Sequence, residues 1–92
     1  MILAELEEVL RSRRTANPDE SYTAQLLADP ELAQRKIMEE AFEVCLELGR
    51  PTNDPALTAQ EAADLIYHLM VGLVAVDVPL SDVFAVLEAR RS

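Results

Sequence analysis

Apolar residues recur along the chain at the three- and four-residue spacing of amphipathic helices. The first such segment predicts a helix as far as about Arg14, before Asn17-Pro18-Asp19-Glu20 interrupts the pattern. Its apolar positions are Leu3, Leu6, Val9 and Leu10. The following residues, 21–28, show no pattern that predicts a regular core element.

Two Asp-Pro pairs mark the starts of the next two helices, since Asp caps a helix and Pro fits its first position. The first helix is predicted from Asp29-Pro30 to near Gly49, and the second from Asp54-Pro55 to about Val76. Thr58-Ala59-Gln60-Glu61 is an alternative start, as a capping box. We favour Asp54, because this start leaves Glu61 free. The apolar stripe of the first of these helices is Ile37, Ala41, Val44 and Leu48.

The segment from Leu65 to Val76 is apolar on almost every side, so it must be covered from several directions. In so short a chain this indicates a partner subunit. A last helix is predicted after Asp77-Val78-Pro79, with Ser81 as its cap and Arg90 and Arg91 near its end. Its apolar residues are Val83, Val86 and Leu87. We therefore predict an all-α, compact bundle of four to five helices, a single domain over residues 1–92, with its core completed by dimerisation.

Composition narrows the possible partners. Seventeen Asp and Glu against eight Lys and Arg give a net charge of −9, which disfavours nucleic acid. A phosphate-bearing ligand remains possible through a bridging divalent cation. The longest apolar run, Leu69 to Val76, is far shorter than the roughly 18 residues of a membrane span. The first residues lack a basic leader, so we expect a cytoplasmic protein with no membrane partner. The single cysteine, Cys45, is predicted to be a small core residue.

Two acidic pairs carry the candidate chemistry. Glu40 and Glu43 lie three residues apart on one helix, and Glu61 and Asp64 repeat the spacing on the next. Side chains at this spacing are about 5–6 Å apart at Cβ, so both members of a pair can reach one Mg²⁺ ion. Each pair borders an apolar face, where packed carboxylates repel one another unless a cation or proton joins them. A solvated acidic face remains the alternative interpretation.

The resemblance to a known family rests on three segments. They are Ser21-Tyr22-Thr23-Ala24-Gln25-Leu26, Lys36-Ile37-Met38-Glu39-Glu40-Ala41-Phe42-Glu43-Val44 and Glu61-Ala62-Ala63-Asp64-Leu65-Ile66-Tyr67-His68-Leu69. In order and spacing they resemble the phosphoribosyl-ATP pyrophosphatases, and the likeness covers essentially the whole chain. The two acidic pairs are shared with all MazG-type helical pyrophosphatases, whereas the Ser-Tyr-Thr segment favours the histidine-pathway enzymes. Met38 and Gly72 depart from the family pattern without touching a predicted ligand.

The resemblance implies an enzyme that hydrolyses phosphoribosyl-ATP to phosphoribosyl-AMP and pyrophosphate, the second step of histidine biosynthesis. It further implies a Mg²⁺ cofactor held by Glu40, Glu43, Glu61 and Asp64. A carboxylate that the metal does not use fully can activate water. We assign that role to Glu43, with Glu39 as the alternative.

Four more residues are predicted to bind the nucleotide, although each also has an ordinary structural explanation. Lys36 and Arg14 are predicted to contact phosphate, the alternative being surface ion pairs. Tyr22 and Thr23 are predicted to give a stacking surface and a hydroxyl, the alternative being a local turn that covers the core. His68 is expected to be a hydrogen-bonded core residue outside the site.

Two other functions remain open at this stage. A MazG-type hydrolase of other nucleoside triphosphates would use the same metal ligands and differ only in its substrate-side residues. A non-catalytic helical dimerisation module would carry the acidic residues only for solubility. A small-molecule nucleotide and a second copy of the chain are therefore the expected partners.

Overall fold

The computed structural model describes residues 1–91, which form five α-helices and no β-strand. The predicted all-α class is confirmed. The helices are α1 (Ile2–Ser12), α2 (Tyr22–Ala28), α3 (Pro30–Leu48), α4 (Pro55–Ala75) and α5 (Leu80–Arg90), and a short 3-10 helix, Arg13–Thr15, follows α1.

Both Asp-Pro pairs begin helices as predicted. The Asp29 side chain accepts a hydrogen bond from the Leu32 amide at 3.2 Å. The Asp54 side chain accepts from the amides of residues 56 and 57 at 3.1 and 3.2 Å. The Asp54 start was therefore the correct choice over the capping box. Asn53 stabilises the turn between α3 and α4, because its amide donates to the Glu47 carbonyl and to the Thr58 hydroxyl.

The fully buried core lies between α1, α2 and the second half of α4. Its members are Leu10, Leu26, Met70, Val71, Val74 and Leu80. Leu80 is the first residue of α5, and its amide donates to the Glu7 carboxylate of α1 at 2.6 Å. The start of α5 is thereby attached to α1, although the rest of α5 makes only slight contact with the other helices.

Residues 22–28 are helical, so the expectation that this segment lacks a regular core element was wrong. The Ser21 hydroxyl caps α2 by accepting from the Ala24 amide at 3.2 Å. Ala24 and Leu26 are buried. A helix this short is not stable alone, and its stability comes from packing against neighbouring helices, which the sequence pattern of seven residues does not reveal.

The predicted cap of α5 was also wrong. Pro79, and not Ser81, occupies the N-cap position, and no side chain of α5 itself caps the helix. The carboxylate of Glu7 takes over the role of the cap, an interaction across 73 positions of the chain. The axis of α5 turns by 112° from that of α4. No single helix of residues 1–91 is long and apolar enough to cross a membrane; α4 and α5 meet that criterion only as a bent pair.

Several residues predicted to lie in the core are exposed. Cys45 is exposed on α3, and Leu48, the last member of the predicted α3 stripe, is 66% exposed. Val9, Val86 and Leu87 are exposed as well. The periodicity of α1, α3 and α5 was read correctly, but one chain does not provide enough neighbours to cover every apolar face.

Candidate metal centre

Three carboxylates from two helices meet where α3 packs against α4. Glu40 and Glu43 come from α3 and Glu61 from α4, and one oxygen of each lies within 4.8 Å of the others. The packing of α3 on α4 is the most extensive in the described part of the chain. Acidic residues separated by about 20 positions in sequence are thus brought into one cluster.

Two oxygens of this cluster are buried without a hydrogen-bond partner. They are Oε2 of Glu40 and Oε2 of Glu61, the only such side-chain atoms among residues 1–91. A buried polar atom without a partner costs free energy that a folded protein normally avoids. One such oxygen on each of two facing helices indicates that the cluster is completed by a group outside the chain.

The pKa values of the cluster also indicate that a group outside the chain completes it. Burial raises the pKa of Glu40 above its ordinary value, and the negative charge of Glu43 raises it further. The neighbouring Glu43 carboxyl raises the pKa of Glu61 above its ordinary value, with burial as the next cause. Without a cation, carboxyl groups this close share protons because their negative charges repel. A divalent cation would remove that repulsion.

Asp64, the fourth predicted ligand, lies outside this group of three. Its side chain is exposed, one turn beyond Glu61 on α4. It is nevertheless close enough for its charge to raise the pKa of both Glu40 and Glu61. The structure therefore places Asp64 beside the cluster but outside the group of three carboxylates that meet.

Other charged residues of α3 differ in whether they are available to bind a ligand. Lys36 contacts Glu39 at 3.3 Å, and the hydrogen bond to Glu39 raises the pKa of Lys36, which stays a cation beside the cluster. Glu47, further along the same helix, is buried and accepts from Arg50 at 2.8 Å. Glu47 therefore stabilises the α3–α4 turn and is not available to a ligand.

Arg14 lies at the opposite end of α4 from the three carboxylates. Its guanidinium donates to the Val74 carbonyl and to the Asp77 carboxylate. Val74 and Glu61 are separated by about 20 Å along the helix axis. A cleft of about 430 Å³ lies beside Arg14 there. Within one chain, the structure does not bring Arg14 to the cluster.

Tyr22 and Thr23 are both tied to α4 by side-chain hydrogen bonds. The Tyr22 hydroxyl lies 3.0 Å from Nε2 of His68, and the Thr23 hydroxyl lies 2.5 Å from that of Tyr67. His68 is buried and hydrogen-bonded, as predicted. The sequence analysis missed that its partner is Tyr22. The only feature of the sequence that could have indicated this contact is the position of Tyr67-His68, one turn after Asp64 on the same helix.

The residues of the cluster fit a magnesium ion. Mg²⁺ takes oxygen ligands at about 2.0–2.1 Å in octahedral geometry, so oxygens in adjacent positions lie about 2.9 Å apart and oxygens in opposite positions about 4.2 Å apart. One oxygen of each of the three carboxylates lies within 4.8 Å of the others. Side-chain movement of about an ångström would therefore bring all three to one ion. The two buried oxygens without partners are available as ligands.

Comparisons with known proteins cover almost the whole chain. The family model described as Phosphoribosyl-ATP pyrophosphohydrolase matches residues 3–91. A Cereibacter sphaeroides protein named phosphoribosyl-ATP pyrophosphatase is 49% identical over 91 residues, which cover 98% of this chain and 86% of the relative. The Agrobacterium fabrum protein of that name is 47% identical, with 96% and 81% covered. The Roseobacter denitrificans one is also 47% identical, with 100% and 87% covered. The resemblance found in the motifs is confirmed.

If the cluster binds metal, Glu61→Gln will raise the melting temperature in EDTA, because one of three repelling charges is removed. Mg²⁺ will stabilise the parent far more than the variant. A ligand at about 100 times its dissociation constant adds about 2.7 kcal/mol to the free energy of unfolding, or about ten degrees or more for a domain this small.

Thermal melts in EDTA, MgCl₂ and NaCl of equal ionic strength, at one protein concentration, test this. A solvated acidic face responds equally to both salts, because only screening acts on it. Glu8→Gln, which changes an exposed glutamate of α1, is the matched control and should respond to Mg²⁺ like the parent. Equal shifts of the parent in the two salts would refute the metal site.

The raised pKa values of Glu40 and Glu61 predict a pH effect in EDTA. Above the ordinary carboxyl pKa of 4.5, the folded protein keeps protons that the unfolded chain releases. The free energy of unfolding therefore falls as the pH rises through the raised pKa values. Glu40→Gln removes part of this effect. The melting temperature of the variant minus that of the parent should therefore increase as the pH rises from about 5 to about 8. A difference independent of pH would contradict the shared-proton cluster.

Proposed function

Because the chain belongs to the phosphoribosyl-ATP pyrophosphohydrolase family, we propose that it hydrolyses phosphoribosyl-ATP to phosphoribosyl-AMP and pyrophosphate in the cytoplasm, as a step of histidine biosynthesis. Its cofactor is Mg²⁺, held by Glu40, Glu43 and Glu61, with Asp64 as a fourth ligand. The observation that carries the metal assignment is the pair of buried oxygens without partners in the carboxylate cluster.

When bound, Mg²⁺ polarises phosphoryl oxygens and offsets the negative charge that develops on them during hydrolysis. It also explains how a chain with a net charge of −9 attracts a polyphosphate, since the ion reverses the local charge. The protein supplies the position of this charge. The α3–α4 packing holds the ligands before the substrate arrives.

Glu43 is the residue we assign to activate the attacking water. Its side chain is exposed, and it belongs to the cluster, so it can contact both the metal and solvent. Glu39, the alternative base, is engaged by Lys36 at 3.3 Å. Glu43 is favoured over Glu39 because it lies within the cluster, whereas Glu39 lies outside it and is paired with Lys36.

Two further residues of this region have the chemistry to bind substrate. Lys36, a cation one turn before Glu40, is assigned to the phosphate chain. The half-exposed ring of Tyr22 is held against α4 by the contact of its hydroxyl with His68 at 3.0 Å. The Thr23 hydroxyl is hydrogen-bonded to that of Tyr67, which attaches the start of α2 to α4. Arg14 belongs to this group only as a prediction, because in one chain it lies at the far end of α4.

A second copy of the chain is the partner we propose. Exposed apolar side chains cover one face of α3 and much of α5; they are Met38, Phe42, Leu46, Phe84, Val86 and Leu87. A monomer rarely leaves so much apolar surface in water. Because α5 makes only slight contact with its own chain, its apolar residues are available to a partner. Burial of these faces against a second copy would also cover Cys45.

We predict that Glu40→Gln, Glu43→Gln, Glu61→Gln and Asp64→Asn each lower kcat about a hundredfold or more, since metal charge stabilisation is worth several kcal/mol. Each change removes a charge and keeps the side-chain volume, so circular dichroism should show unchanged helicity. Glu8→Gln is the control and should keep the parent rate. Near-normal rates in any two of the four variants at saturating Mg²⁺ would refute the four-carboxylate site.

The same assays should compare phosphoribosyl-ATP with ATP as substrates, with identification of the products. Preference for phosphoribosyl-ATP, with pyrophosphate as a product, supports the proposed function. Equal or faster hydrolysis of ATP would instead favour the general nucleoside triphosphate hydrolase. Hydrolysis of neither, with no binding of Mg²⁺ by calorimetry, would favour the non-catalytic module.

We predict a homodimer in sedimentation equilibrium at micromolar protein concentration. Phe42→Asp should dissociate it, because the change places a charge in the centre of the exposed α3 face. Ile2→Asp is the matched control, since Ile2 is also largely exposed but lies at the start of α1. A parent that stays monomeric with unchanged helicity, or equal effects of the two variants, would contradict the proposed interface.

A further inference from the structure

His68 uses both of its ring nitrogens, although it is not part of the carboxylate cluster. It is buried on α4, one turn after Asp64. Its Nδ1 lies 2.7 Å from the Asp64 carbonyl oxygen, and its Nε2 lies 3.0 Å from the Tyr22 hydroxyl. His68 thus joins α4, which carries Glu61 and Asp64, to a half-exposed tyrosine of α2.

The chemistry of these two contacts assigns the protons. A carbonyl oxygen only accepts, so Nδ1 of His68 carries the hydrogen. In the neutral ring, Nε2 is then an acceptor, and the Tyr22 hydroxyl donates to it. This hydrogen bond to His68 on α4 fixes the orientation of the Tyr22 hydroxyl and the position of the Tyr22 ring.

Tyr67 supports the Tyr22 ring from a second direction. The two rings are nearly parallel, at 18°, with centroids 6.5 Å apart. The Tyr67 ring in turn meets the His68 ring edge-on at 5.0 Å, and its hydroxyl is hydrogen-bonded to Thr23. These contacts restrict a side chain that is 46% exposed at the start of α2. Such an ordered, half-exposed aromatic ring is a ready stacking surface.

This ring lies within two helical turns of the carboxylate cluster. The Tyr22 hydroxyl contacts His68 at 3.0 Å, and His68 follows Glu61 by seven residues on α4, about 10 Å along the helix axis. A nucleotide with its phosphates at the cluster would therefore have its base within reach of Tyr22.

We propose that the Tyr22 ring is the platform on which the substrate's nucleobase stacks, and that His68 is a positioning residue that holds this platform in place relative to the carboxylates. The identity of the ligand rests on the proposed function. Stacking of a base on an aromatic side chain typically contributes about 1–3 kcal/mol. The base is recognised by Tyr22, and the phosphates by the metal and Lys36.

Tyrosine fluorescence tests the platform directly. The chain contains two Tyr and no Trp, so all of its intrinsic emission comes from Tyr22 and Tyr67. Phosphoribosyl-AMP, the product that keeps the base, should quench this emission after correction for its absorbance. Pyrophosphate with Mg²⁺, the product without a base, should not. Equal responses to the two products would overturn the platform.

Kinetics test the role of His68. Tyr22→Phe and His68→Phe both remove the hydrogen bond between these two residues, so each should raise KM for phosphoribosyl-ATP about 2- to 10-fold. The kcat and the Mg²⁺ dependence should not change. His68→Phe also removes the hydrogen bond to the Asp64 carbonyl, so the double variant should lose no more than His68→Phe alone. His68→Gln places an acceptor near the position of Nε2 and should recover most of the loss.

A structural role for His68 would give other results. A lower kcat or weaker Mg²⁺ binding with unchanged KM, or additive losses in the double variant, would overturn the proposal. If His68→Phe loses helicity, the KM and kcat of Tyr22→Phe and His68→Gln are compared instead. Failure of the parent to hydrolyse phosphoribosyl-ATP counts against the proposed function alone. The platform itself fails if neither phosphoribosyl-AMP nor AMP quenches the tyrosines.

Discussion

The packing of α3 against α4 is the interaction on which the candidate site depends. The helices approach closely, since a Cβ atom added to Gly72 would lie 3.1 Å from Cδ1 of Ile37. Glycine is thus suited to this position, where the sequence analysis saw only a departure from the family pattern. The turn between the helices, stabilised by Asn53 and by the Asp54 cap, sets their register. Only in that register does Glu61 meet Glu40 and Glu43.

This arrangement carries an electrostatic cost that the chain does not offset by itself. Three carboxylates lie together in a protein that already has a net charge of −9, and two of their oxygens have no partner. Neighbouring cations do not neutralise them, because Lys36 is engaged by Glu39 and Arg14 lies far along α4. A site that is strained when empty is expected where ligand binding supplies the missing charge. In the function we propose, the same strain would make the metal both a cofactor and a source of stability.

Chain length imposes the second constraint. The buried core is formed mainly by α1, α2 and the second half of α4, and a chain of 92 residues has no further element to cover α3 and α5. The exposed faces of these two helices follow from this shortage. The sequence predicted the need for a partner from Leu65 to Val76. In the structure, much of that segment is buried within one chain, although Ile66 and Leu69 stay exposed, and more of the exposed large apolar side chains lie on α3 and α5.

The sequence by itself determined the helical class, the starts of α3 and α4, the family and the two acidic pairs, because all of these depend on local spacing and on the chemistry of neighbouring residues. It did not determine α2, the cap of α5 or the environment of Cys45. Those features depend on contacts between distant segments, such as Glu7 with Leu80. The candidate site shows the same division. Spacing paired Glu40 with Glu43 and Glu61 with Asp64, and the family resemblance joined the two pairs. Only the tertiary structure left Asp64 beside the cluster, set Arg14 apart and joined His68 to Tyr22, because residues far apart in sequence meet only when helices pack.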